Sequence, residues 1–209
     1  MLKVALPKGR MAKEGLELFG RLYGESFVFD DRRLIVEHGG FTFMLVRSQD
    51  VPTYVAHQAA DVGIVGLDVI EEQQANVMKL LNLGMGQCRV VVGSPCKKSI
   101  DYHKPQLKVA TKMPHITRKY FASKAISVEI LKLYGSIELA PLVGLSDVIV
   151  DIVETGSTMA QNNLKIDEVI MESSAYVIAN TNSFYEKKEC ILELYDRIKG
   201  ALEQERGVR

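Results

Sequence analysis

The chain holds few cysteines and no pattern among them. Cys88, Cys96 and Cys190 are odd in number and lack C-x-x-C spacing, so neither a disulfide framework nor a cysteine zinc site is expected, and the thiols are read as reduced. The four histidines, at positions 38, 57, 103 and 115, are scattered without an H-x-x-x-H pair or a neighbouring acid. A histidine metal site and a serine-hydrolase triad therefore find little support, and His115 is not expected to be catalytic. There is no G-x-x-x-x-G-K-[ST] loop, so any ATP must bind by another route. Charge of either sign is not in excess: Lys plus Arg number 26 and Asp plus Glu 26. Without a basic block there is no footprint for sequence-independent nucleic-acid binding, which leaves small anions as partners. No apolar run approaches the roughly 20 residues a membrane helix needs, and the opening Met-Leu-Lys-Val-Ala-Leu-Pro-Lys is too short an apolar stretch for a signal peptide. A cytoplasmic protein without membrane or nucleic-acid partners is expected.

What is present is a chain of 209 residues, 47% hydrophobic, able to bury a core as one large domain or two small lobes. Its most informative stretch is residues 147–164, DVIVDIVETGSTMAQNNL. Val148, Ile149, Val150, Ile152 and Val153 form a β-branched run too short for an ordinary helix, which predicts a strand buried on both faces of a parallel sheet. Glu154-Thr155-Gly156-Ser157-Thr158 follows, with a glycine for a tight turn, hydroxyls on both sides and backbone amides at the start of the next helix. Amides so placed favour a phosphate. Asp151 and Glu154 would repel a phosphate beside them but can accept hydrogen bonds from sugar hydroxyls. Phosphate on the loop and a diol on the acids describe a ribose 5-phosphate. An ordinary strand, turn and capped helix would suffice for T-G-S-T alone; the two acids favour the ligand.

Elsewhere strands and helices alternate. Residues 2–6 read as a strand closed by Pro7, and Lys8-Gly9-Arg10 then precedes a helical period at Met11, Leu18, Phe19 and Leu22. A basic loop at a strand-to-helix junction lies where open α/β sheets bind ligands, although a solvated basic turn explains K-G-R equally well. Residues 27–37 and 41–46 read as strands joined around Gly39-Gly40, with Arg32 and Arg33 interrupting the first and Arg47 following the second. The planar fork of such an arginine can hold a diphosphate; a surface salt bridge is its commoner fate. Asp50 is placed to cap a helix carrying Pro52 in its first turn. Residues 61–66 are a buried-type strand, followed by Leu67-Asp68 and a helix through Glu71 to Ala75. They echo residues 147–152, as Leu2-Lys3-Val4-Ala5 is echoed by Leu107-Lys108-Val109-Ala110. The offsets differ, so there is no strict repeat, and two similarly built α/β lobes with a ligand cleft between them are expected. Residues 88–93 form a strand that carries the chain out of the first lobe and residues 175–180 one that brings it back, which makes a two-strand hinge. Residues 111–121 are a loop leading into a helix, and Cys190, Ile191, Leu194, Tyr195, Ile198 and Leu202 have helical spacing, with Glu and Lys on the other face, so this face is expected to pack on a lobe.

Six ordered blocks, LPKGRM, MLVRSQDVPTYV, ADVGIVGLDV, CRVVVGSP, ATKMPHITRKYF and ELAPLVGLSDVIVDIVETGSTMAQNNL, resemble the catalytic subunits of the ATP phosphoribosyltransferase family, the first enzymes of histidine biosynthesis. The resemblance covers nearly the whole chain, and the length points to the short form, which lacks a C-terminal regulatory domain. Two positions depart from common patterns: the second acid stands at Glu154 rather than beside Asp151, and His115 replaces a more frequent Asn. The resemblance implies an α/β fold of two lobes joined by a two-strand hinge, like type II periplasmic binding proteins, with residues 1–88 and 175–209 as lobe I and 89–174 as lobe II. It implies a bond from N1 of ATP to C1 of phosphoribosyl pyrophosphate, release of pyrophosphate, and magnesium carried mainly by substrate phosphates. Thr155, Gly156, Ser157 and Thr158 would then hold the 5-phosphate and Asp151 and Glu154 the ribose hydroxyls. Arg32 and Arg47 would act on the departing pyrophosphate, and Lys8, Gly9 and Arg10 would meet the polyphosphate of ATP. Asp68, Arg89 and Glu138 are further candidates for ATP or pyrophosphate, and no protein metal ligand is expected. The implied partner is a histidyl-tRNA-synthetase-like regulatory subunit in a hetero-octamer, with a homodimer for the chain alone. A two-lobed solute-binding protein and a nucleobase-salvage phosphoribosyltransferase are the rivals. The first is disfavoured by the missing signal peptide, and the second would not share the blocks around Arg47 and residues 61–68.

Overall fold

Short β-branched runs alternating with amphipathic helices build two sheets, each with its own core. A computed structural model describes residues 1–27 and 33–207. Two units are formed, Met1–Gly86 with Ser174–Arg209, and Gln87–Ser173. The first unit begins with β1 (Leu2–Pro7), α1 (Arg10–Tyr23), β2 (Ile35–His38), β3 (Phe41–Val46), α2 (Val51–Ala56), β4 (Val62–Gly66), α3 (Leu67–Gln73) and β5 (Met78–Asn82). The second carries β6 (Cys88–Pro95), β7 (Leu107–Thr111), α4 (Pro114–Ser123), β8 (Val128–Lys132), β9 (Val148–Val153), α5 (Ser157–Gln161) and β10 (Leu164–Ser173). The chain then returns to the first with β11 (Ala175–Ala179), α6 (Thr181–Glu186) and α7 (Lys188–Gly207).

The sheet of the first unit has the order β2-β3-β1-β4-β11-β5, with β1 parallel to β3 and β4, and β11 antiparallel to β4 and β5. Leu16 and Phe19 of α1 and Ile191, Leu194 and Ile198 of α7 are buried in one cluster with residues of β1, β3 and β4. Phe19 meets Phe41 and Phe43 edge-on, each at 5.1 Å between centroids. The β2–β3 hairpin turns on Gly39 and Gly40, whose φ of 59° and 81° are the left-handed values its tight turn requires. Among the described residues of the segment expected at 27–37, the strand is Ile35–His38; Arg32 lies outside the described residues.

Three local expectations are corrected here. Asp50 occupies the N-cap position of α2 but its backbone is already helical, and its side chain makes no capping bond. The helix expected to reach Ala75 stops at Gln73, because Gln74 adopts a left-handed φ of 50°. Cys190 is exposed: the buried stripe of α7 runs through Ile191, Leu194 and Ile198, and Cys190 sits in the first turn on its flank.

In the second unit the order is β10-β6-β9-β7-β8, with β7 parallel to β8 and β9, and β6 antiparallel to β9 and β10. Residues 164–173 are thus a long strand that the sequence pattern did not announce. Register shifts between Ile166 and Glu168 and between Val169 and Met171 break its two-residue alternation, and Lys165, Asp167, Glu168 and Glu172 dilute its apolar content. Glu168 has a use in packing: Tyr102 and Tyr120 donate to it at 2.7 and 2.5 Å, and Lys124 pairs with it. The hydrogen bond from Lys124 first, then those from the two tyrosines, lower its pKa to about 2.

The two sheets share a device at the base of the strand that leads to each edge. In the first unit Asp61 donates its N–H to Lys3 O at 2.9 Å, while its carboxylate accepts from Lys3 N at 2.8 Å and from Lys187 Nζ at 2.7 Å. In the second, Asp147 donates to Lys108 O at 2.9 Å and accepts from Lys108 N at 3.0 Å and Lys104 Nζ at 2.6 Å. Burial pushes both carboxyls up, but the lysine and backbone hydrogen bonds outweigh it and hold them below the usual carboxylate range. Among the described residues no helix is long and apolar enough to cross a membrane.

Candidate active site

The loop after β9 is placed by the strand's central position. Val148, Ile149 and Val150 are buried between β6 and β7, so the chain is held rigidly up to the point where it leaves the sheet. Thr111, fully buried at the end of β7, fixes the neighbouring strand: it donates to Val150 O at 2.7 Å and accepts from Met113 N at 2.9 Å. Past this point Asp151 turns its carboxylate to Ile152 N at 2.8 Å and to Lys112 Nζ at 3.1 Å.

Beyond the exposed Glu154 the backbone bends at Gly156, with a φ of 85° that strains any side chain-bearing residue. Thr155 Oγ1 and Ser157 Oγ lie 3.0 Å apart, and Ser157 N donates to Thr155 Oγ1 at 3.4 Å. The helix that follows, α5, has only five residues. Its macrodipole is correspondingly weak, so anion affinity must come from first-turn N–H groups, which lack intrahelical acceptors, and from the hydroxyls. Asp151, Glu154 and residues 155–158 line a cavity of about 400 Å³, together with Lys112, Glu138 and the apolar Ile149, Val153 and Met159. A hydroxyl-rich turn beside carboxylates can hold a phosphate and a polyol at once.

From the predicted set, this cavity gathers Asp151, Glu154, Thr155, Gly156, Ser157, Thr158 and Glu138. In the first unit Lys8 N donates to Val46 O at 2.8 Å, so Lys8 and Arg47 leave the sheet side by side at the C-terminal ends of the parallel β1 and β3. Ligands of open α/β sheets bind at such ends. Lys8 and Gly9 border a cavity of about 1090 Å³ that Lys13, Arg21 and Arg33 also line. Arg10 pairs with Glu14 at 3.4 Å, Arg47 is exposed, and Asp68 is buried in the first turn of α3. Arg89 is half-buried on β6, level with Val153 and Glu172. Lys112 is the pocket residue that sequence reasoning missed. Its signal is the register itself: Thr111, the last residue of β7, pairs with Val150, which brings Lys112, just past the strand, level with Asp151 of β9.

Residues 47–200 match the family described as HisG: ATP phosphoribosyltransferase. The chain belongs to the ATP phosphoribosyltransferase family. An ATP phosphoribosyltransferase of Helicobacter hepaticus is 80% identical over 203 residues, 97% of this chain and 99% of that protein. The ATP phosphoribosyl transferase of the HisG:HisZ complex from Thermotoga maritima is 34% identical with a TM-score of 0.87, covering 98% of this chain and all of that one (100%). The periplasmic aliphatic sulphonate binding protein SsuA of Escherichia coli has a TM-score of 0.63 at 11% identity, covering 100% of this chain and 70% of that one, and shares the fold alone. Membership of the phosphoribosyltransferase family and the periplasmic-binding-protein type of α/β fold thus go together in this chain.

Proposed function

We propose that the cavity beside the 155–158 turn holds the phosphoribosyl group in the reaction of this family. That reaction is the first step of histidine biosynthesis: N1 of ATP becomes bonded to C1 of the ribose, and the bond from C1 to pyrophosphate breaks, giving phosphoribosyl-ATP. The observation that carries the assignment is the convergence on one cavity of about 400 Å³ of a left-handed Gly156 turn, its hydroxyls and the carboxylates of Asp151 and Glu154. In this reading Thr155, Gly156, Ser157 and Thr158 bind the 5-phosphate, while Asp151 and Glu154 orient the ribose hydroxyls. Arg47 at the end of β3 and Arg32 neutralise the departing pyrophosphate, Lys8 and Arg10 contact the ATP polyphosphate, Arg89 is a further contact for these anions, and Asp68 and Glu138 are candidates for contacts with N–H or O–H groups of the substrates.

Catalysis then lies in holding N1 behind C1 and in stabilising charge as the pyrophosphate leaves, without a covalent enzyme intermediate. Among the described residues no group of three or more His, Cys, Asp or Glu side chains gathers to hold a metal. In this reading magnesium arrives on substrate phosphates, where it offsets their charge and keeps its waters. The reading extends to a regulatory partner related to histidyl-tRNA synthetase, with a homodimer for the chain alone and a hetero-octamer with the partner; mass photometry of the two forms tests it. A cytoplasmic location belongs to the same reading.

The decisive assay follows pyrophosphate release and the ultraviolet absorbance of the adduct with ATP, phosphoribosyl pyrophosphate and magnesium. Both signals are expected only when both substrates are present. Turnover with free adenine or guanine in place of ATP would instead identify a salvage enzyme.

A further inference from the structure

The cavity poses an electrostatic problem. Among its described lining residues the carboxylates are Glu138, Asp151 and Glu154, and the one base is Lys112. A phosphorylated sugar approaching this wall meets more negative charge than positive, and amides and hydroxyls supply only partial charge against it. Lys112 is the group that can change this. Its backbone is held on both sides, by Thr111, bonded to Val150 O, and by Met113, whose N–H donates to Thr111 Oγ1. Its ammonium, by contrast, reaches Asp151 Oδ1 at 3.1 Å, on a side chain that is 32% exposed beside a carboxylate that is 19% exposed. Partly exposed pairs of this kind can be exchanged, because water reaches both partners and the lysine stem keeps several rotamers.

We infer that Lys112 is an exchangeable counter-ion of the phosphoribosyl site, paired with Asp151 before substrate arrives and turned to a substrate phosphate oxygen afterwards. The exchange solves two problems with one movement. It brings a full positive charge to the incoming anion, and it releases Asp151 Oδ1 to accept a ribose hydroxyl at the moment the sugar is there to offer one. Before binding, the pair keeps the Asp151 carboxylate compensated. The inference rests on the assignment of this cavity to the phosphoribosyl group.

Isothermal titration with phosphoribosyl pyrophosphate and magnesium tests it. Lys112→Met is expected to weaken binding by about 10- to 100-fold, the range for a hydrogen bond between charged groups, with ATP affinity unchanged. Lys112→Arg should recover part of the loss, and Lys112→Gln serves as a second neutral variant should Met impair folding. The double variant separates exchange from simple anchoring. In an Asp151→Asn background Lys112→Met should still weaken binding by a similar factor, because the lysine acts on substrate. If it has no further effect there, or if affinity in Lys112→Met alone is unchanged while Glu154→Gln and Thr158→Ala weaken it, the exchange is wrong and the site stands. If all these variants bind normally, the phosphoribosyl site lies elsewhere and the inference falls with it.

Discussion

Asp61 and Asp147 perform the same task in two sheets, yet the strands they start end differently. Each stands just before a central strand, exchanges backbone hydrogen bonds with a lysine on the neighbouring parallel strand, and is paired with a second lysine, Lys187 or Lys104. Beyond that base β4 passes directly from Gly66 into α3, with Asp68 buried in the first turn. The other strand, β9, instead leaves Asp151 at the cavity and continues through Glu154 to the left-handed Gly156 turn. The start of each strand is therefore a structural clamp, whereas chemistry is added at the C-terminal edge, where side chains are no longer used up by the sheet.

The comparison breaks if base and edge variants have the same kind of effect. Arg47→Ala, at the edge of the first sheet, should have the largest functional effect: a loss of about 10²-fold in kcat with smaller changes in substrate affinity, as for a group that stabilises leaving charge. An unchanged kcat removes Arg47 from that role. Asp61→Ala should cost about 2–4 kcal/mol in urea unfolding, because its side chain is only 4% exposed and its loss strands Lys3 N and Lys187, while kcat per folded molecule stays unchanged. Asp147→Ala should cost a fraction of that, since its side chain is 29% exposed. Equal losses for the two would mean that burial does not distinguish the clamps.

Acid should weaken the clamps. Carboxyls whose folded pKa lies below the unfolded value bind fewer protons when folded, so their stabilisation is complete above about pH 5 and declines as pH falls toward the folded value. This holds for Asp61 and Asp147, and for Glu168, whose contribution persists down to about pH 2. Unfolding followed against pH should therefore show falling stability below that range, and Asp61→Asn should flatten the curve. Glu154→Gln should give the smallest change in stability of the set, with weakened phosphoribosyl pyrophosphate binding and ATP binding little altered.

Residue patterns alone specified the elements whose environment is uniform. A strand segment buried on both faces is apolar, so β4 and the Val148–Val150 part of β9 announce themselves, although each lies in a mixed rather than a parallel sheet, and a loop of Thr, Gly, Ser and Thr behind two acids has few other physical uses. The family resemblance rested on such blocks, and its fold and activity agree with the comparisons. Long-range pairing decided the rest. The bulged β10 gains its regularity only from β6, across about 70 residues of chain, and a local pattern cannot carry that partner. The same holds for Lys112: nothing in A-T-K-M-P marks the lysine, and it reaches the cavity because parallel pairing of β7 with β9 sets Thr111 beside Val150. Composition and local spacing determine which segments can form a strand or a phosphate turn, but a side chain enters a site through register, which only the assembled sheet sets.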